Sequence, residues 1–208
     1  MPRAFTNTER ERIHDKLVDA GRSCFTRYGL KKTTIEDLVK LAGIAKSSFY
    51  LFFESKEALY IELMMSEMPA MVKRLVDGSF GATHDTREAL ILLLRAIVHE
   101  IETNEFARII FDNTGQIEQL SAAIDFEGIM KQSEAIFTPL YQAITEAQAQ
   151  GKIIAGDPQQ IIYSLGLIKL IPLGRHRLPK RLYDSMLEFA SQVIADGLTC
   201  PAGKGGGM

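Results

Sequence analysis

The chain has 208 residues, of which 46% are apolar and 24% charged, and its formal net charge is −2. That is enough apolar material for one large domain or two small ones, but no stretch reaches the roughly eighteen uninterrupted apolar residues that signal a membrane span. The polar start, Met1 to Arg12, has no apolar signal core behind it, so the cytoplasm is the expected compartment and no membrane partner is expected.

The predicted elements are all helical. Ile13, Leu17, Ala20 and Cys24 fall on one face of a first helix, and Cys24 reads as a small core residue. Ile35, Leu38, Val39 and Ala42 repeat that pattern in a much shorter helix, with Thr33 and Glu36 expected as its capping box. After Ala42-Gly43-Ile44 a second short helix is expected from about Lys46 to Phe52. A long one follows, carrying Leu59, Leu63, Met64, Met68, Met71, Val72 and Leu75. Further helices are expected over about Arg87–Glu102, Phe106–Asn113, Ala122–Gln150, Pro158–Leu173 and Pro179–Asp196. Pro69 and Pro139 fall inside helices, and Asp157-Pro158 supplies an N-cap followed by a proline in the first turn. The organisation expected is residues 1–54 as a first domain, 55–200 as a second, and 201–208 as a Gly-rich flexible tail.

Two short helices joined by a Gly-containing turn form the pattern of a DNA-binding helix-turn-helix. Gly43 suits a residue with positive φ in such a turn. Met1 to Lys56 holds 11 Lys and Arg against 7 Asp and Glu, while the remainder holds 13 against 19, which suits an anionic partner for the first part. Lysines also stand near three helix starts: Lys31 and Lys32 before the first short helix, Lys46 opening the second, and Lys56 opening the long one. A cation there opposes the helix macrodipole unless an anion arrives. DNA phosphate would reverse the sign; the alternative is that each is a solvated surface lysine. On the second short helix Lys46, Ser47, Tyr50 and Leu51 can face outward while Phe49 and Phe53 face in, with Phe52 also read as core. The residues expected at DNA are Lys32, Thr33, Thr34, Lys46, Ser47, Ser48, Tyr50 and Lys56.

Across Arg10 to Leu63 the chain resembles the TetR family of bacterial transcriptional regulators. The resemblance is carried by Phe25, by Gly29 followed by Thr33-Thr34-Ile35, by Leu38 and Ala42-Gly43-Ile44, and by Phe49-Tyr50, Phe53, Ser55-Lys56 and Leu59. It implies a homodimer of Ω-shaped, all-helical subunits of about nine helices, each with a small DNA-binding domain and a larger effector-binding and dimerisation domain. It also implies that Thr34, Lys46, Tyr50 and Lys56 touch phosphate. One departure is Ala45, where the family usually has Ser or Thr as the cap of the recognition helix.

Beyond Leu63 the resemblance is one of layout only. Leu182, Met186, Phe189 and Val193 share a face of the final helix, with Tyr183, Leu187, Ala190 and Ile194 beside them; Ile161, Leu165 and Ile168 share a face of the helix before. Apolar faces this wide need burial on more than one side, either within the subunit or in a symmetric four-helix interface. The dimer reading places Ile161, Leu165, Ile168, Leu182, Met186, Phe189 and Val193 in that interface. A small apolar or amphipathic effector is expected among Met64, Met68, Phe106, Ile110, Phe126, Met130, Phe137 and Tyr141, with His99 a candidate polar contact. No Ser/His/Asp order, metal spacing or phosphate-binding Gly-rich loop is visible, so neither an enzyme nor a resident cofactor or metal is expected. The function expected is a ligand-responsive repressor of a pseudo-palindromic operator. The alternative is an activator or co-regulator of the same fold that works through protein contacts.

Overall fold

The computed structural model describes residues 5–104 and 126–199, apart from the side chains of 126–133, 173, 174 and 176. Among the described residues there are eight α-helices and no strand. They are α1 (Asn7–Lys32), α2 (Ile35–Ala42), α3 (Lys46–Phe49), α4 (Lys56–Asp77), α5 (Thr86–Thr103), α6 (Phe126–Ala149), α7 (Pro158–Gly166) and α8 (Lys180–Thr199), with a 3-10 helix, Leu167–Arg177, between the last two. The helix expected over Phe106–Asn113 and the tail 201–208 lie outside the described residues. Two compact units result. The first holds the described residues up to Glu67 with 126–129, and the second holds Met68–Asn104 and the residues from Met130 on.

In the first unit α1 opens on a capping box: the Glu9 amide donates to the Thr6 hydroxyl at 3.3 Å and the Thr6 amide to the Glu9 carboxylate at 2.8 Å. Ile13, Leu17, Ala20 and Cys24 are buried, as their spacing predicts, and Phe25 joins them. Gly21 lets α4 come close, since a Cβ there would lie 3.0 Å from the side chains of Leu59 and Leu63. At Gly29 the chain adopts φ 77°, which breaks the helical path before a last turn of α1 ends at Thr33. The capping box of α2 is therefore Thr34 with Asp37, one residue later than the expected Thr33 and Glu36. Gly43 ends α2 with φ 70°, the left-handed turn its position predicts. The helix after it is shorter than expected. It is α-helical only to Phe49, and turns carry the chain on through Phe52. Leu17, Phe25, Leu38, Phe49, Leu59, Tyr60 and Leu63 close the core from α1 to α4. Each such side chain contributes roughly 1.5–3 kcal/mol by leaving water, which lets a helix as short as α3 persist.

In the second unit α5 buries Leu90, Leu93, Leu94, Val98 and Ile101. Leu90, Leu93, Leu94 and Val98 pack with Leu140, Ile144 and Ala147 of α6, with α7 and with Ala195 of α8. Asp85 caps α5, and Asp157 caps α7 with Pro158 behind it. The helix expected to run to Leu173 changes to 3-10 geometry at Leu167. Ile161, Leu165 and Ile168, expected at a subunit interface, are buried inside this unit's own core. Leu182, Met186, Phe189 and Val193 are instead 46–68% exposed, and Leu167 and Leu170 are exposed too.

Candidate nucleic-acid interface

The helix-turn-helix is α2, the turn at Gly43, and α3. The turn is closed by the Ile44 amide donating to the Val39 carbonyl at 3.0 Å. Phe49 is fully buried and Phe53 buried, which fixes the roll of α3 and leaves Lys46, Ser47, Tyr50 and Leu51 exposed, with Ser48 half-buried. The Tyr50 ring, 53% exposed, stands edge-on to Phe49 with centroids 5.6 Å apart. A hydroxyl, an ammonium and a phenol are thus presented together on one short helix, the donor types that contact base edges and phosphates. Ala45 forms no side-chain cap, so the start of α3 has no hydroxyl of its own holding it.

The other expected residues divide. Lys32 is exposed in the last turn of α1, and Thr34 is exposed as the cap of α2. Thr33 is not presented at the surface: it is fully buried, and its hydroxyl donates to the carbonyls of Gly29 at 2.8 Å and Cys24 at 3.3 Å. Lysines at two of the three expected helix starts serve the end of α1 instead. Lys31 and Lys32 belong to the C-terminal turn of α1, where a cation is favourable without any ligand. The Lys56 ammonium donates to the carbonyls of Leu30 at 2.7 Å and Thr33 at 2.8 Å, with Lys31 at 3.4 Å, so it satisfies the end of α1. Lys46 alone among these stands at a helix start without backbone acceptors, and it pairs with Glu36 of α2.

That pair and the adjacent cap set the local electrostatics. Hydrogen bonding to Lys46 holds the Glu36 carboxyl below its usual range and raises the Lys46 ammonium. The Thr34 hydroxyl, then its amide, hold Asp37 low, with Lys40 adding to the effect. Three residues not expected at DNA also touch this region. Glu36 neutralises Lys46. Arg10 donates to the Leu51 carbonyl at 3.2 Å and lies 5.3 Å from the centroid of Phe52, and the Phe5 ring lies 6.2 Å from that of Phe52. Arg10 and Leu51 are 41 residues apart, beyond the reach of any periodicity.

The expected effector residues that are described fall in both units. Met64 packs against the core of the first unit, and Phe137 and Tyr141 pack against that of the second. Burial, then Tyr163, push the Tyr141 phenol up to about 12. Met68 is half-buried, and His99 is exposed on α5. Phe106 and Ile110, and the side chains of Phe126 and Met130, lie outside the described residues. In the second unit a cleft of about 310 Å³ is lined by Thr138, Tyr141, Gln142, Thr145 and Glu146, Tyr141 being an expected contact, and one of about 200 Å³ by Phe80, Thr83, His84, Glu146 and Lys152 among others.

Residues 17–63 match the family model of bacterial regulatory proteins of the tetR family. An uncharacterized HTH-type transcriptional regulator of Bacillus subtilis, YhgD, is 27% identical over 143 residues, covering 69% of this chain and 73% of that one. The "Probable acrEF/envCD operon repressor" of Escherichia coli K12 is 24% identical over 153 residues, 70% of this chain and 67% of its own. Among solved structures, a TetR-family regulator from Pectobacterium atrosepticum superimposes with a TM-score of 0.71 at 19% identity, over 94% of this chain and 98% of that one. RolR, solved in complex with the ligand resorcinol, does so with a TM-score of 0.65 at 15% identity, over 93% and 98%. At these identities the structural likenesses bear on the fold.

Proposed function

The chain belongs to the TetR family of bacterial regulatory proteins, a family of regulators and not of enzymes, and we propose that it is a homodimeric repressor released from its operator by a small apolar or amphipathic effector. The observation that carries the DNA-binding half is the face of α3, where Lys46, Ser47 and Tyr50 stand exposed on a helix rolled into place by Phe49. In this reading Thr34, Lys46 and Tyr50 hold phosphates and Ser47 meets base edges. Lys32 and Ser48 lie near enough in the chain to assist. Lys56 acts by holding the end of α1.

The dimer half is supported by the exposed stripe Leu182, Met186, Phe189 and Val193 on α8, with Leu167 and Leu170 on the preceding 3-10 helix. Two copies of such a stripe would cover each other about a two-fold axis and set two recognition helices about 34 Å apart, or a multiple of it. The effector half is supported by relatives: one is described as an operon repressor, and another was solved with resorcinol bound. Coupling requires only that the effector favour the DNA-incompetent state by about 1–3 kcal/mol. The test is a titration of the dimer with the intergenic DNA upstream of its own coding sequence. Sequence-specific binding that a phenolic or similar amphipathic compound weakens is the expected result. A dimer that ignores that DNA but alters the binding of a second regulator would favour the co-regulator reading.

A further inference from the structure

The recognition helix is held oddly. It is a single α-helical turn, has no side-chain cap at its start, and continues into non-helical turns at Tyr50–Phe52. The Ser48 and Phe49 carbonyls at its end accept from the amides of Leu51, Phe52 and Phe53, and the carbonyl of Leu51 in the turn that follows accepts from the first turn of α1. Thr6 caps α1, so Phe5 is the residue before the cap and Arg10 is the fourth residue of the helix. These are the two positions that clasp each other in a hydrophobic staple. In this chain both meet Phe52 instead: Phe5 ring to ring at 6.2 Å, and Arg10 with its guanidinium 5.3 Å from the ring centroid and a hydrogen bond to the Leu51 carbonyl.

We infer that the first turn of α1 is a clamp that sets the orientation of the recognition helix, with Arg10 and Phe5 as positioning residues for DNA binding. Resting on the operator-binding reading, the inference adds that affinity depends on two side chains whose contribution is geometric. Arg10 spends its guanidinium on a carbonyl and an aromatic face, both of which a planar fork suits and an ammonium suits less well. Phe5 carries no charge at all. The capping box between Thr6 and Glu9 keeps the turn that presents them from fraying.

The test compares Arg10→Ala and Phe5→Ala with the unaltered dimer, measuring operator affinity across a range of salt concentrations. Both variants should weaken specific binding, about ten-fold, while leaving the slope of log K against log salt unchanged, because no phosphate contact is lost. If Arg10→Ala flattens the slope by about one or two units and Phe5→Ala is silent, Arg10 is a phosphate ligand and the clamp is refuted. Amide exchange in the DNA-free protein tests the clamp independently of whether the operator reading holds. Leu51, Phe52 and Phe53 should exchange about ten-fold faster in both variants while α8 amides are unmoved. Unchanged exchange at 51–53 would overturn the inference even if DNA binding fell.

Discussion

Replacing Lys56 by methionine separates a structural lysine from a DNA-contacting one. The ammonium donates two short hydrogen bonds, to Leu30 and Thr33, at the C-terminal end of α1. Charge-assisted bonds of this kind contribute about 1.5–3 kcal/mol each. Ordering a long lysine side chain costs up to about 2 kcal/mol, and the freed carbonyls are near enough to the surface to recover some water. A net loss of about 2 kcal/mol follows, or a fall in Tm of about 4–8 °C for a chain this size. Because the protein has two units, the loss should be followed where it occurs. Alkylation of Cys24, which is buried in the same core as Leu30, reports opening of the first unit when it is resolved by peptide mass spectrometry. Lys46→Met is the control, since the Lys46 ammonium pairs with the Glu36 side chain. It should leave Cys24 protected and lower the salt dependence of DNA binding by about 0.9 per contact, about 1.8 for a symmetric pair. If Lys56→Met kept Cys24 protected and flattened the salt slope instead, the structural assignment of Lys56 would be wrong.

Three further outcomes are expected. Glu36→Gln should strengthen DNA binding several-fold at low salt, because Lys46 is released to phosphate and a carboxylate is removed from the interface; fluorescence anisotropy reads it, and weaker binding would mean that Glu36 itself contacts the DNA. The Asp37 carboxyl lies below its ordinary range because it accepts from Thr34. Its folded value is depressed, so its contribution to stability is present above the unfolded value and is lost as pH falls through the folded one. Thr34→Val should move the Asp37 titration, followed by carboxyl NMR shifts, back up toward that of a free carboxylate. Phe189→Asp should give a monomer by light scattering with helix content retained, and a dimer that survives this change would place the subunit contact elsewhere.

The periodicity of the chain locates most of what is buried. Ile13, Leu17, Ala20 and Cys24 face the core as their spacing requires, and Gly43 takes the left-handed turn. The slips occur where two readings share one pattern. Thr33 followed by Glu36, and Thr34 followed by Asp37, both satisfy the spacing of a capping box. What decides between them is Leu30, which is fully buried and draws the turn after Gly29 inward with Thr33. The same holds for the lysines. A lysine just before one helix is often also at the end of another, and only the three-dimensional path shows which terminus its charge serves. A residue such as Arg10, which acts across 41 positions on a backbone carbonyl, leaves no local signal at all.

The divided fate of the expected interface residues has a geometric cause. An apolar face on a helix says that it must be covered, not by what. Over α7 the residues Ile161 and Leu165, four apart, turn inward together, as an α-helix demands. From Leu167 the chain winds with three residues per turn, so residues three apart come into line. Ile168 and Ile171 then stay on the core side, whereas Leu167 and Leu170 line up on the side that solvent reaches. An α-helical reading of the same residues puts Ile161, Leu165 and Ile168 on one continuous stripe and assigns it to a partner. That stripe is buried in the subunit's own core, and the 3-10 winding from Leu167 sets a second one beside it. Leu167, Leu170 and the α8 stripe are exposed apolar surface on which the proposed dimer would be built, and a paired substitution can test the division. Leu170→Asp should dissociate a dimer built on that surface with the fold retained, whereas Ile168→Asp should unfold the second unit. The reverse pattern would return Ile168 to the interface.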